Sequence, residues 1–286
     1  MRKYAIQLAY DGTDYCGWQI QKGTGAHYNP KPSIQGALTD ALETMGGSPV
    51  TVVASGRTDA GVHASGQVAH FFLQTDRYRD DTLLKGLNSL LPDTIQIHHL
   101  EWVSDAFHAQ RGAIKKQYSF YFQEGPCPAP HLLPYSCWSR RRLDEERLRT
   151  ALDSLRGEHD FLPFRARGAK VTTTVRTLYE VELTREPIPL PGVFDRDHLF
   201  LWRVRLVGSG FLKQMVRGIA GPLLQIGAGR RPPEDMQEIL ETKDRLKVGP
   251  TAPARGLWLD RVWYPKHLGV SFLHHADSDP VVTPGS

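Results

Sequence analysis

The sequence predicts an α+β protein: two lobes, each ordered βαββαβ, that form a largely antiparallel or mixed sheet flanked by helices around a central cleft. Two observations lead there. Short runs with apolar residues at every second position alternate with longer stretches whose apolar residues recur at three-and-four spacing, and these are the periods of half-buried strands and amphipathic helices. The same order of runs then appears in both halves of the chain, the split-βαβ pattern, with no repeat at the level of individual residues.

The first lobe opens with Tyr4, Ile6, Leu8 and Tyr10 at period two, a strand over residues 3–10. Ile34, Ala37, Leu38, Ala41, Leu42 and Met45 form a helical stripe that starts at a cap residue, Ser33, and stops at Gly46-Gly47. Val50 to Val53 and Gln67 to Leu73 read as strands, Thr82 to Leu91 as a helix ended by Pro92, and Ile95 to Val103 as a strand. In the second lobe a strand is expected at Tyr118 to Phe122 and a helix from Asp144 to Leu155, ended by Gly157. Further strands are expected near Val171 to Leu183 and at Phe200 to Val207. A helix from about Phe211 to Ile226, kinked at Pro222, a short helix from Glu234 to Glu241 and a last strand, Leu257 to Trp263, complete it. The expected boundaries are 1–110 for the N-terminal lobe with its catalytic loop, 111–264 for the C-terminal lobe and 265–286 for a loosely held tail. The proline-rich stretches at 125–134 and 185–192 read as loops or insertions.

At 286 residues and 40% hydrophobic content the chain can bury a sizeable core. No run approaches eighteen uncharged apolar residues, and the N-terminus has no continuous apolar segment, so neither a membrane span nor a signal peptide is expected and the cytoplasm is. Cys16, Cys127 and Cys137 match no zinc or redox spacing and argue against a disulfide framework. The net charge of +4 is mild, yet 35 basic residues permit one basic face.

Chemistry concentrates in "ASGRTDAGVHASGQ", residues 54–67. Gly56, Gly61 and Gly66 around one carboxylate, Asp59, suit a backbone with positive φ or a ligand brought close; a simple turn is the competing reading. Arg57, two residues away, favours the ionised carboxylate. His63 invites a general-base role, against the commoner one of a structural hydrogen-bonder. "GSGFLK" at 208–213 lacks the third glycine of a dinucleotide fingerprint and reads instead as a tight strand-to-helix turn. Arg217 lies at the edge of an apolar helix face, where an arginine is commonly paired, and Asp59 is a candidate partner. Tyr118, Phe120 and Phe122 beside Lys115 and Lys116 combine aromatic and basic character, as a stacked single-stranded base requires; the alternative is the core face of a strand. A non-catalytic RNA-binding module and a metal-dependent nuclease using Asp59, His63 and His70 remain open on the residues alone.

Taken together the segments resemble the tRNA pseudouridine synthase A family. The resemblance is carried by "YDGTDYCGWQIQ" (10–21), "GRTDAGVHASGQVAHF" (56–71), "DAFHAQ" (105–110), "KKQYSF" (115–120), "GSGFLKQMVRGIAGPL" (208–223) and "TAPARGLWL" (251–259), with shorter matches between them, in order over residues 1–264. It implies the pseudouridine synthase fold and the isomerisation of uridine to pseudouridine in the anticodon stem-loop of tRNA, at about positions 38 to 40. It implies a homodimer and no cofactor or metal. By the same resemblance Asp59 is the catalytic residue, either attacking C1′ or taking the C2′ proton. Tyr118 packs on the target base, Arg217 pairs with Asp59, and Arg57 helps displace the flipped nucleotide; Lys115 and Lys116 are expected at phosphates. Residues 22–31 and 184–199 look longer than the family's usual connections.

Overall fold

The computed structural model describes residues 1–21, 31–74, 77–166, 168, 171–188 and 199–275. They form a mixed α/β structure that divides into two compact units. One comprises Met1–Lys116 and the chain from Asp260 onward, the other Gln117–Leu259.

In the first unit β1 (Arg2–Tyr10), β3 (His63–Leu73) and β4 (Ile95–Trp102) are antiparallel in the order β4-β1-β3, with β10 (Leu257–Tyr264) next to β3. Alternation puts Tyr4, Ile6 and Leu8 on a buried face, where Tyr4 stacks on Phe71 at 5.8 Å. Helix α1 (Ile34–Gly46) begins where the Ser33 hydroxyl accepts from the Gly36 N–H at 3.0 Å and ends at Gly47 with φ of 68°. Helix α2 (Asp80–Leu90) buries Leu83 and Leu87 and stops before Pro92. β2 is only Val53–Ala54. The valines before it are buried without a ladder: the Val50 N–H goes to the Glu43 carboxylate, so that apolar run reports burial rather than strand pairing.

In the second unit β5 (Lys115–Glu124), which enters from the first, lies beside β9 (Phe200–Gly208), followed by β8 (Val175–Pro187) and β7 (Gly157–Asp160), the last three antiparallel. β6 (Cys137–Ser139) adds to β5 in parallel. Helix α3 (Glu145–Asp153), capped by Asp144, packs against β8 and against α4 (Met215–Gly227). α5 (Asp235–Thr242) and α6 (Arg245–Val248) follow.

Several expectations shift. The strand expected from Val171 starts at Val175, and it continues through Arg185 to Pro187, where a loop was expected, because Arg185 pairs with Trp202 and Pro187 with Phe200. α4 starts at Met215 rather than Phe211 because Gln214 has φ of 63°, which no helix accommodates; it then runs through Pro222. The stretch just after Pro265 is held more firmly than expected. Ser271 binds the Glu101 carboxylate through its N–H at 3.0 Å and through its hydroxyl, and the chain at 274–275 (β11) pairs in parallel with β10. Residues 22–30, 189–198 and 276–286, which include most of the two long connections and the end of the tail, lie outside the described residues.

Candidate active site

Asp59 sits on the loop between β2 and β3, and that loop is built into the first unit from both sides. On one side the Trp18 N–H donates to Thr58 O at 3.0 Å, part of an isolated antiparallel bridge between Gly17 and Asp59. Gly17 has φ of +104°, and a Cβ there would lie 2.6 Å from Thr58 O and 3.0 Å from Asp59 C, so only glycine lets the two backbones meet. On the other side the Gln67 amide donates to Gly56 O at 2.8 Å, and the Tyr10 hydroxyl meets the Thr58 hydroxyl at 2.9 Å. The loop closes on itself through Val62 N–H to Asp59 O at 3.1 Å. Within the loop Arg57 is exposed and Asp59 is half-buried.

The glycines of this loop answer to the protein's own atoms. A Cβ on Gly66 would fall 2.2 Å from Asp260 O, and one on Gly56 2.9 Å from the Lys116 ammonium; Gly61 has φ of +75°. Lys116 itself donates to Ser55 O at 2.7 Å, while the Lys115 ammonium lies 4.8 Å from the centre of the Trp263 ring. Both expected phosphate-binding lysines therefore belong to the first unit with Arg57 and Asp59.

His63 is a structural histidine. It is fully buried, and its Nδ1 accepts from the Gly12 N–H at 3.1 Å. His70 is likewise committed, its Nδ1 accepting from the Ala109 N–H at 3.1 Å. Burial, with Lys3, His108 and Arg111 nearby, pushes the His70 imidazole down to about 4. Among the described residues no three His, Cys, Asp or Glu side chains are grouped to hold a metal ion.

Tyr118 and Arg217 belong to the second unit. Phe120 and Phe122 are fully buried, the core face of β5, whereas the Tyr118 ring stands edge-on to Phe211 at 4.9 Å, beside the turn that follows β9. That turn is the strand-to-helix connection expected for "GSGFLK": β9 ends at Gly208 and Ser209 N–H donates to Thr177 O at 2.9 Å. Arg217, on the first turn of α4, is fixed at its backbone and its side chain by one residue. Its carbonyl accepts from the Ala252 N–H at 3.0 Å and its Nε donates to Ala252 O at 2.8 Å.

Sequence reading did not single out Gly17, Tyr10, Thr58 or Gln67 as parts of the site. The signal was present in Gln67, a polar residue inside an otherwise apolar strand pattern, since a buried amide has to find partners.

A half-buried aspartate and an exposed arginine on a loop anchored to a mixed sheet, with no metal-holding cluster among the described residues, make a site suited to acid–base or nucleophilic chemistry. The family model described as tRNA pseudouridine synthase matches residues 6–110 and 151–265, and the chain belongs to that family. It is 40% identical over 266 residues to the tRNA pseudouridine synthase A of Chlamydia trachomatis serovar A, covering 92% of each chain. With the protein of that name from Lawsonia intracellularis it shares 40% identity over 265 residues, 92% of this chain and all of the other. The one from Paraburkholderia phytofirmans is 36% identical over 270 residues, 94% of this chain and 93% of the other.

Proposed function

We propose that this protein isomerises uridine to pseudouridine in the anticodon stem-loop of tRNA, with Asp59 as the catalytic residue. The reading is carried by one observation: in a chain of this family, the loop bearing Arg57 and a half-buried Asp59 is anchored to its unit on both flanks. In the reaction the N1–C1′ bond breaks, the uracil turns, and C1′ bonds to C5. The C5 proton leaves to solvent and N1 acquires one, so the product is an isomer of the substrate. A carboxylate serves either by attacking C1′ or by taking the C2′ proton.

Tyr118 packs on the target base, Arg217 binds substrate, and Arg57 helps displace or replace the flipped nucleotide, whose extrusion costs a few kcal/mol and is offset by stacking and phosphate contacts. Lys115 and Lys116 receive phosphates. The assignment for Tyr118 is supported by its edge contact with Phe211, which fixes the ring plane; Arg217 is held in place by two hydrogen bonds with Ala252. We take the working form to be a cytoplasmic homodimer without cofactor; no helix among the described residues is long and apolar enough to cross a membrane. The test is a tRNA transcript tritiated at uridine C5, incubated with pure protein and EDTA. Label released into water supports the reading. Binding of tRNA without release would identify a binding module instead, and release abolished by EDTA would point to metal-dependent chemistry.

A further inference from the structure

Beneath the Asp59 loop lies a set of buried polar side chains, Tyr10 from β1 and Gln67 from β3 with Ser55 and Thr58 of the loop itself. Gln67 uses every hydrogen-bonding position its amide has. Its Oε1 accepts from the Ser55 hydroxyl at 2.7 Å and from the Val68 N–H at 3.2 Å. Its Nε2 donates to Gly56 O at 2.8 Å and to the Tyr10 hydroxyl at 3.4 Å. Turning the amide over would set its NH2 against the Val68 N–H and its oxygen against Gly56 O, so the backbone fixes its orientation. The Tyr10 hydroxyl also shares a hydrogen bond with the Thr58 hydroxyl at 2.9 Å. Burial pushes the Tyr10 phenol up to about 12, so it stays protonated. All four side chains are buried.

The strand geometry is what allows this. Leu8 pairs with Gln67 and Tyr10 with Ala64, so β3 carries one extra residue there, and the bulge lets Tyr10 and Gln67 converge under the loop. The two attachment points, Gly56 O and the Thr58 hydroxyl, flank Arg57, whose side chain is exposed, and Asp59 follows directly.

We infer that Gln67 and Tyr10 are positioning residues for the isomerisation: through Gly56 and Thr58 they clamp the backbone on both sides of Arg57 and so set where Arg57 and Asp59 point. The clamp touches neither substrate nor reacting atom. Its contribution is placement, to which turnover is steeply sensitive, while affinity for tRNA rests on phosphate and stacking contacts elsewhere. The inference rests on the proposed isomerase reading.

The experiment compares the wild-type chain with Tyr10→Phe, Thr58→Val, their double variant, Thr58→Ser and Gln67→Met. It measures kcat and KM for C5 label release, Tm, and the rate of trypsin cleavage after Arg57. Tyr10→Phe and Thr58→Val are each expected to lower kcat about tenfold with KM within about twofold. The double variant should be no worse than either single, because both remove the same bond. Thr58→Ser, which keeps the hydroxyl, should recover turnover, and trypsin should cut faster after Arg57 wherever the clamp is broken. If Gln67→Met does not fold, the Tyr10 and Thr58 variants carry the test. Lowered Tm with unchanged kcat would overturn the inference, as would losses in the double variant that multiply. Wild-type protein that releases no label would overturn the isomerase reading instead, and trypsin cleavage indifferent to the clamp would then overturn the clamp by itself.

Discussion

Gly17→Ala places one methyl group against the backbone that carries Asp59. Two costs add. An L-residue at φ of +104° is strained, of order 1–3 kcal/mol. The new Cβ would stand 2.6 Å from Thr58 O and 3.0 Å from both Asp59 C and Ala60 N, closer than a carbon tolerates, and relief by backbone shift costs about 1–3 kcal/mol more. The loop can retreat only by stretching the 3.0 Å bond from Trp18 N–H to Thr58 O, and Asp59 moves with it. A total of about 2–6 kcal/mol corresponds to a Tm drop of roughly 4–12 °C for a chain of this size. Displacement of the carboxylate by several tenths of an ångström should lower turnover by about tenfold. Gly47→Ala is the control, since its φ of +68° is also left-handed but nothing lies within 4 Å of the added Cβ. It should cost about 1 kcal/mol and leave turnover intact. Calorimetry and C5 label release, run on both variants, decide the matter. If Gly17→Ala resembles Gly47→Ala in Tm and in rate, the close approach of Gly17 to the Asp59 loop does not govern the site.

Arg217→Met removes the 2.8 Å bond to Ala252 O and should cost about 1 kcal/mol of stability but at least a hundredfold in turnover; matched losses in a melting curve and a rate assay would mark a purely structural arginine. His70, buried against Lys3, His108 and Arg111, is held neutral in the folded state down to about pH 4, whereas the unfolded chain takes up its proton near pH 6.5. Its stabilisation is therefore complete above pH 6.5 and is lost as pH falls toward 4, about 3 kcal/mol in all. His70→Gln should flatten that part of the pH dependence in urea titrations, and an unchanged slope would refute the assignment. Affinity for tRNA should fall steeply with salt. Lys115→Met and Lys116→Met should each reduce the slope of log K against log salt by about one, and the second should also lower Tm because Lys116 holds Ser55 O; a slope unaffected by either substitution would remove both from the phosphate contacts.

The elements that sequence reading found were those with a long period and a chemical full stop. α1 was legible from its stripe, Ser33 and the glycine pair, and β1, β4 and β9 from alternation. What it missed was too short to carry a period. β6 is three residues long, α6 is four, and β7 is "GEHD", a polar strand held by β8 rather than by an apolar face. The start of α4 was unreadable because nothing about a glutamine announces a left-handed conformation. At the site, the motif residues were legible as residue types, but their supports were not. Gly17 and Gln67 act through approach and pairing with segments about 40 and 11 residues away, and spacing along the chain holds no record of that. The same limit explains the glycines around Asp59, expected to serve positive φ or a close ligand: Gly61 has φ of +75°, while Gly56 and Gly66 admit the Lys116 side chain and Asp260 O.

The central claim is that the Asp59 carboxylate performs the isomerisation, and Asp59→Asn tests it most directly. The substitution keeps the size and much of the hydrogen-bonding shape, so the fold and the bridge to Gly17, which is made by backbone atoms, should survive. The amide is a very poor nucleophile and base. Purified Asp59→Asn protein should melt near the wild-type temperature and bind tRNA with similar affinity, while C5 label release falls to background. Release at an appreciable fraction of the wild-type rate would contradict the account and move the catalytic role to another group.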